Sequence, residues 1–283
     1  DLRDNKYMAT LLLVTSAFLH ALWNALAKKN KNIEINLMGI MAAASFFGLA
    51  AIPFFPGEAF PHGLSFWWAL AAGLFEAGYM ITLVHALKET SLGLSYTIMR
   101  GGAMVIVWFI SIPFLNEPIH IKSVFGILLV LGGLILSNIR LDGKLNLKQV
   151  RWSYLCALFI AGYHLSYGRA LDMHAQSASL FAFSLIIGIP LFFYFSGREK
   201  IIELKNVMKT APSIIIIGGA FCAASFIIFL IGLKHSGAGY AITLRNTSII
   251  FAQIFSLIIG EKLSRQQIAG AAIVFLGAAL MTF

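Results

Sequence analysis

Apolar runs and short polar separators alternate along the whole chain, at the wavelength of a membrane crossing. Predominantly apolar stretches cover 8–27, 35–55, 64–87, 92–115, 119–139, 152–171, 178–195, 211–233, 240–260 and 266–283. The hydrocarbon layer is ~30 Å thick and an α-helix rises ~1.5 Å per residue, so about twenty apolar residues cross it. Each run is therefore predicted to be one transmembrane helix. The separators include KKNKN at 28–32, PGEAFPH at 56–62, KETS at 88–91, NEP at 116–118 and RLDGKLNLKQVR at 140–151. They continue with DMHAQS at 172–177, a charged stretch at 196–210, KHSGAG at 234–239 and EKLSR at 261–265. Backbone amides in lipid must bond inside their own segment, which favours helices. The runs lack the ~10-residue alternating segments of a membrane barrel. REKIIELKNVMKT (198–210) is amphipathic and is predicted to lie along the interface as a short helix.

The chain also repeats itself. GLFEAGYMITLVHALKETSLGLSYTI (73–98) aligns with GAFCAASFIIFLIGLKHSGAGYAITL (219–244), so that Gly73 meets Gly219, Lys88 meets Lys234 and Gly93 meets Gly239. After a two-residue slip, Glu117 meets Glu261, Gly126 meets Gly270 and Gly133 meets Gly277. At that same shift His20 meets His164 and Trp23 meets Tyr167. The predicted architecture is an all-α membrane protein, ten transmembrane helices arranged as two inverted five-helix repeats. The first repeat covers 8–139, a basic linker loop 140–151, and the second repeat 152–283. Five spans per half is an odd number, so the copies insert in opposite directions. Inverted repeats characterise alternating-access carriers, whose site lies near the bilayer midplane between the halves. Residues 1–7 are polar and precede Met8, a natural start codon, so they are expected to be a remnant or a short polar N-terminus outside the fold.

Composition supports this picture. Hydrophobic residues make up 59% of the 283 and charged residues 12%, where a soluble domain carries roughly 25% charge. The net charge of +9 does not point to nucleic acid, because Lys and Arg sit in the separators, where cytoplasmic loops carry them. Fourteen of the 21 lie in the loops after spans one, three, five, seven and nine. Five lie on the other side (Arg3, Lys6, Lys122, Arg169 and Lys234), and Arg100 and Arg245 fall within spans. The bias puts both termini outside the cytoplasm. Cys156 and Cys222 lie in apolar runs without a second ligand nearby and read as small hydrophobes.

An Asn-Glu or Gly-Glu pair follows the fourth and ninth spans, in FLNEPIHIKSVFGILLVLGGLIL (114–136) and IIGEKLSRQQIAGAAIVFLGAAL (258–280). With the five-plus-five repeat, these segments resemble the drug/metabolite transporter superfamily, EamA type. HALWNALAKKNK (20–31) and SLGLSYTIMRGG (91–102) look like one bacterial branch of it. The resemblance covers the chain from Met8 onward. It implies a proton- or exchange-driven carrier of the bacterial inner membrane, with a cavity lined by spans one, three, four, six, eight and nine. Many relatives are drawn with cytoplasmic termini, whereas the charges here argue the reverse.

Ionisable groups inside spans need a reason, since each costs on the order of 2.5–3.5 kcal/mol on insertion scales. Glu76 falls near the centre of the third span, Arg100 a third of the way into the fourth, and Arg245 just inside the ninth. Two readings stand: an ion pair pinning helices together, Glu76 with Arg100 for example, or a substrate or proton site. His20 shares a helical face with Trp23 and Asn24, and His164 has Tyr163 and Tyr167 about it. Neutral histidine can donate, accept or take a proton, which suits coupling. Tyr79 and Tyr96 are spaced to flank Glu76 and Arg100. Candidate substrate-binding residues are thus His20, Trp23, Asn24, Glu76, Tyr79, Tyr96, Arg100, His164, Tyr167 and Arg245. Glu117 and Glu261 read as caps of the helices that follow them. The stripe Ala69, Gly73, Ala77 reads as a close helix contact, and Arg169 as a snorkelling residue.

No GxSxG, HExxH, P-loop or paired intramembrane carboxylate appears, so neither catalysis nor a resident metal or cofactor is expected. The expected function is secondary active transport of small polar metabolites. Guanidinium grips carboxylate, phosphate or phosphonate bidentately, and an amino acid could use Arg at one end and Glu76 at the other. Export of cationic amines, held by Trp23 and the tyrosines through cation–π contacts, is the alternative within transport. An intramembrane enzyme or structural subunit is the alternative of another class. The expected partners are a small-molecule substrate, the bilayer and coupling protons, for a monomer or homodimer.

Overall fold

The computed structural model describes residues 6–29, 32–115, 120–138, 147–210, 212–236, 241 and 244–282. The side chains at 6–7, 111–115, 235–236 and 282 are outside that description, and so is the expected Glu117 cap. Eleven α-helices lie within it: α1 (Lys6–Lys28), α2 (Ile33–Ala51), α3 (Gly63–Glu89), α4 (Leu92–Leu115), α5 (Ile121–Asn138), α6 (Leu147–Asp172), α7 (Ser177–Ser196), α8 (Arg198–Thr210), α9 (Ser213–Ser236), α10 (Ser248–Ile258) and α11 (Arg265–Thr282).

Seven of these are long and apolar enough to cross a membrane, namely α1 to α5, α7 and α9. α6 is long enough, but Lys148, Arg151, His164 and Arg169 dilute its hydrophobicity. α10 and α11 are shorter apolar helices. The expectation of one unbroken helix over 240–260 needs correction. Helical backbone at Leu244 and Arg245 gives way to a turn at Asn246 and Thr247 before α10 begins. The turn is held by three-residue hydrogen bonds, Thr247 N–H to Leu244 O at 3.1 Å and Ile250 N–H to Thr247 O at 3.0 Å. A tightened stretch inside a helix often marks a functional hinge.

The outer faces suit lipid. Phe46, Phe195 and Ile258 are each about two-thirds exposed (68, 68 and 71%), a burden no water-soluble surface carries in such density. The predicted interfacial helix forms as α8, with Leu204 its buried residue. α7 ends at Gly197, whose φ of +86° lets its N–H close onto Phe193 O; such left-handed helix ends favour glycine.

Helix packing is matched between the halves. α3 packs on α6 and α1 on α9; α3 packs on α7 and α2 on α9; α4 packs on α6 and α1 on α10. Each pair is the other's counterpart when the two repeats are exchanged. The remaining large contacts, α5 on α11, α2 on α7 and α4 on α10, are each their own counterpart. The α5–α11 crossing is the tightest. A side chain at Gly133 would sit 2.7 Å from Gly270 O, and one at Gly277 would sit 2.6 Å from Gly126 O. The alignment that pairs Gly126 with Gly270 and Gly133 with Gly277 exchanges these two contacts. The small-residue stripe on α3 is also a helix contact, since a Cβ at Gly73 would meet Ile187 and Ser184 O of α7 at 2.6 and 2.8 Å.

Candidate functional site

His20 on α1 and Glu76 on α3 are buried polar groups away from the helix ends, and the neighbouring helices complete a polar cluster about each. The first surrounds Arg245, which lies just before the turn in the ninth span and is 1% exposed. Its Nη1 donates to Ser16 Oγ at 2.6 Å and to Ser225 O at 3.0 Å; its Nη2 lies 3.0 Å from His20 Nδ1. Guanidinium has no lone pair to offer. His20 Nδ1 must therefore accept, which makes His20 neutral with its hydrogen on Nε2. While Arg245 donates to it, Nδ1 cannot also take up a proton.

Aromatic faces wrap the same group. The Arg245 guanidinium lies 4.1 Å from the Phe229 ring centre and 5.0 Å from that of Phe226, both on α9. His20 packs edge-on against Trp23 and Phe226. Tyr96 donates to His20 O at 2.9 Å and so ties α4 to α1; Asn24 Nδ2 donates to the same carbonyl at 3.0 Å. Arg100 is buried (3% exposed) within electrostatic reach of His20, His164 and Arg245.

The second cluster joins α3, α6 and α7. Glu76 Oε1 and Tyr167 Oη stand 2.6 Å apart, and Tyr167 Oη stands 2.6 Å from Ser184 Oγ. All three residues are buried. Among the described residues no ion pair joins Glu76 to Arg100, so the expected salt bridge is replaced by a chain of hydroxyls. Tyr79 lies edge-on to Tyr163 at 5.5 Å. Tyr163 in turn contacts His164, Tyr167 and Phe226 and bridges the two clusters.

Several buried polar atoms around this region have no partner among the described residues: Trp23 Nε1, Asn24 Oδ1, Tyr163 Oη, His164 Nε2 and Arg245 Nε. Open hydrogen-bonding capacity in a buried region is costly unless a ligand or water satisfies it. Ser16, Ser225, Ser184, Phe226 and Phe229 belong to the site but were not among the residues expected from the sequence. Ser16 stood within reach, four residues before His20 and hence on its face. The serines of α7 and α9 carry no comparable sequence signal.

The two ends of the molecule differ. Lys28 Nζ at the end of α1 forms an ion pair with Glu261 Oε1 at 2.7 Å. Leu92 N–H donates to Glu261 Oε2 at 2.7 Å, and Ser256 Oγ also bonds to that oxygen. Glu261 thus does not cap α11 as expected. The start of α11 is closed by Ser264 and Gln267, each side chain bonding the other's N–H at 3.2 and 3.0 Å in a capping box. At the opposite end of α3 lies a cavity of about 590 Å³, lined by Phe55, Glu58, His174, Gln176, Ile231 and Lys234 among others. None of its lining residues is an expected site residue; Glu76, central in α3, lies between this cavity and the ion pair.

Two stretches, 7–139 and 148–283, match the EamA-like transporter family, one in each half. No curated protein matches the chain in sequence. One solved structure, described only as "Crystal structure of protein", superposes with a TM-score of 0.64 over 98% of this chain and 96% of its own, at 17% identity. At that identity the likeness speaks for the fold alone.

Proposed function

The chain belongs to the EamA-like transporter family, and from that premise we propose that it is a secondary carrier of small anionic or zwitterionic metabolites. The family is one of membrane transporters, and the long apolar helices make this chain a multi-pass membrane protein. The finer reading is alternating access between two inverted five-helix halves in a bacterial inner membrane, with protons as coupling ion. The charge bias of the loops supports a cytoplasmic basic face, with the Lys28–Glu261 contact on that side. On that orientation the cavity beside Glu58 and Lys234 opens outward.

One observation carries the substrate class. Arg245 is buried without an acidic partner within ion-pair distance among the described residues, its Nε is unpartnered, and Arg100 adds a second positive charge nearby. Buried charge of one sign calls for a ligand of the other. A carboxylate, phosphate or phosphonate fits the guanidinium fork. His20, Trp23, Asn24, Tyr96 and His164 would line the arginine side of the site, with Tyr79, Tyr167 and Glu76 on the other. Cationic amines fit less well, because the two buried guanidinium groups of Arg100 and Arg245 would repel them.

A thermal-shift screen of carboxylates, phosphonates, amino acids and amines on the purified protein, followed by counterflow of the hits in liposomes, tests this. Counterflow of an anion or zwitterion is expected. Stabilisation by amines alone would overturn the substrate class, and turnover in detergent without counterflow would overturn the carrier reading.

A further inference from the structure

We propose that Glu76 binds a proton in this conformation, as a neutral carboxylic acid, and that this bound proton is the coupling ion. The coupling half of the proposal rests on the carrier reading above; the protonation half rests on a count of hydrogens.

Three short oxygen–oxygen contacts run in series. Glu76 Oε1 to Tyr167 Oη is 2.6 Å, Tyr167 Oη to Ser184 Oγ is 2.6 Å, and Ser184 Oγ to Phe181 O is 2.8 Å. Each requires one hydrogen between its oxygens. The phenol brings one, the serine brings one, and the backbone carbonyl at Phe181 only accepts. An ionised carboxylate brings none. One of the three contacts would then set lone pair against lone pair in a buried site. A protonated Glu76 supplies the missing hydrogen. Glu76 then donates to Tyr167, Tyr167 to Ser184, and Ser184 to Phe181 O, all in one direction.

Of the groups that face Glu76 from the packed helices, Arg245 carries the one charge that would favour the carboxylate, and it is held elsewhere. Tyr163 and Tyr167 on α6, Cys222 on α9 and Arg245 before α10 lie within electrostatic reach of Glu76. α7 contributes the Ser184 hydroxyl, and Glu34 on α2 is engaged by Lys88 at the far end of α3. Arg100 on α4 completes the set of buried charges and forms no ion pair with Glu76 among the described residues. Arg245 is committed to Ser16, Ser225 O and His20. His20, whose Nδ1 accepts from Arg245, cannot carry the proton instead.

The step is simple: one H⁺ from water binds the carboxylate, and the same H⁺ returns to water. α3 packs on α6 and α7 of the other half, so relative motion of the halves breaks the chain at Tyr167. The carboxylate is then free to meet water and ionise. Gly73, one turn before Glu76, lets α3 approach Ser184 O closely enough to set this contact.

Infrared spectroscopy of the purified full-length protein in liposomes tests the protonation directly. At neutral pH the wild type should show a protonated-carboxyl carbonyl band that Glu76→Gln lacks and that Tyr167→Phe shifts. Glutamine keeps the size and a donor toward Tyr167, so this variant should fold. Identical spectra for wild type and Glu76→Gln would overturn the assignment. For coupling, liposomes are loaded with labelled alanine, succinate and methylphosphonate and a pH gradient is imposed. Net flux in the wild type should follow the gradient, and residual flux in Glu76→Gln should not. Gradient-driven flux in Glu76→Gln would overturn the coupling role. Absence of any flux in wild type would count against the carrier reading, while the infrared band still decides the proton.

Discussion

Lys28 and Glu261 meet at 2.7 Å across the two halves, on the face that carries most of the basic loops. The contact gathers three chain segments, because Glu261 also accepts from Leu92 N–H at the start of α4 and Lys28 also reaches Thr90 O. Its side chains are only 10 and 19% exposed, so water screens it little. It ties the ends of α1 and α3 and the start of α4 to the turn between α10 and α11.

Glu261→Gln should loosen that junction. Removing one charge of a largely buried pair leaves the other uncompensated, and a loss of one to two kcal/mol multiplies an open-to-closed ratio by roughly 5–30. A cysteine placed at Leu94, in a Cys156→Ala, Cys222→Ala background, should react correspondingly faster with a polar maleimide when Glu261 is glutamine. Unchanged labelling would mean that the ion pair does not hold this junction shut.

Gly132 and Gly133 are neighbours with opposite prospects. A Cβ at Gly133 would press on Gly270 O and Val274, whereas one at Gly132 meets nothing within 4 Å. Gly133→Ala should therefore cost about 1–3 kcal/mol, the usual range for overpacking, and Gly132→Ala should be nearly neutral. Thermal unfolding of both variants in detergent checks this; equal shifts would contradict the close crossing of α5 and α11.

Arg100→Ala should abolish uptake into liposomes while the protein still purifies as a folded species. Arg100→Lys should fold and bind poorly, because the charge survives and the two-pronged grip does not. At the other arginine, His20→Gln keeps an acceptor for Nη2 and should lower affinity less than His20→Leu. A hydrogen bond to a charged group contributes about 1.5–3 kcal/mol, so roughly a tenfold or larger gap between the two His20 variants is expected. Normal uptake by Arg100→Ala would remove the residue from the site.

A reporter fused after Phe283 tests the orientation. Periplasmic phosphatase activity without cytoplasmic fluorescence is expected from the fourteen-to-five distribution of Lys and Arg. The reverse result would invert the side to which the cavity opens, without changing the site.

Much of the fold was legible because lipid enforces it. An apolar run of sufficient length has few alternatives to a helix, and helices α1 to α5, α7 and α9 fall where the runs do. The repeat alignment singled out Gly126, Gly133, Gly270 and Gly277 as equivalent positions, but that they make the α5–α11 crossing came only from the structure. The break at Asn246 and Thr247 was not legible, since neither residue forbids a helix and the flanking residues are apolar.

The candidate site divides along the same line. Cost in lipid singled out His20, Glu76, Arg100 and Arg245 from the sequence alone, because a polar group inside a span must be satisfied by something. Which partner satisfies each was decided only by the tertiary structure. Glu76 meets Tyr167, 91 positions away, and Arg245 meets His20, 225 positions away. Helical periodicity fixes which residues share a face, but not how far one helix is rotated and shifted against another. The close contact of Gly73 with α7 helps set Glu76 against the Tyr167 hydroxyl, which in turn meets Ser184.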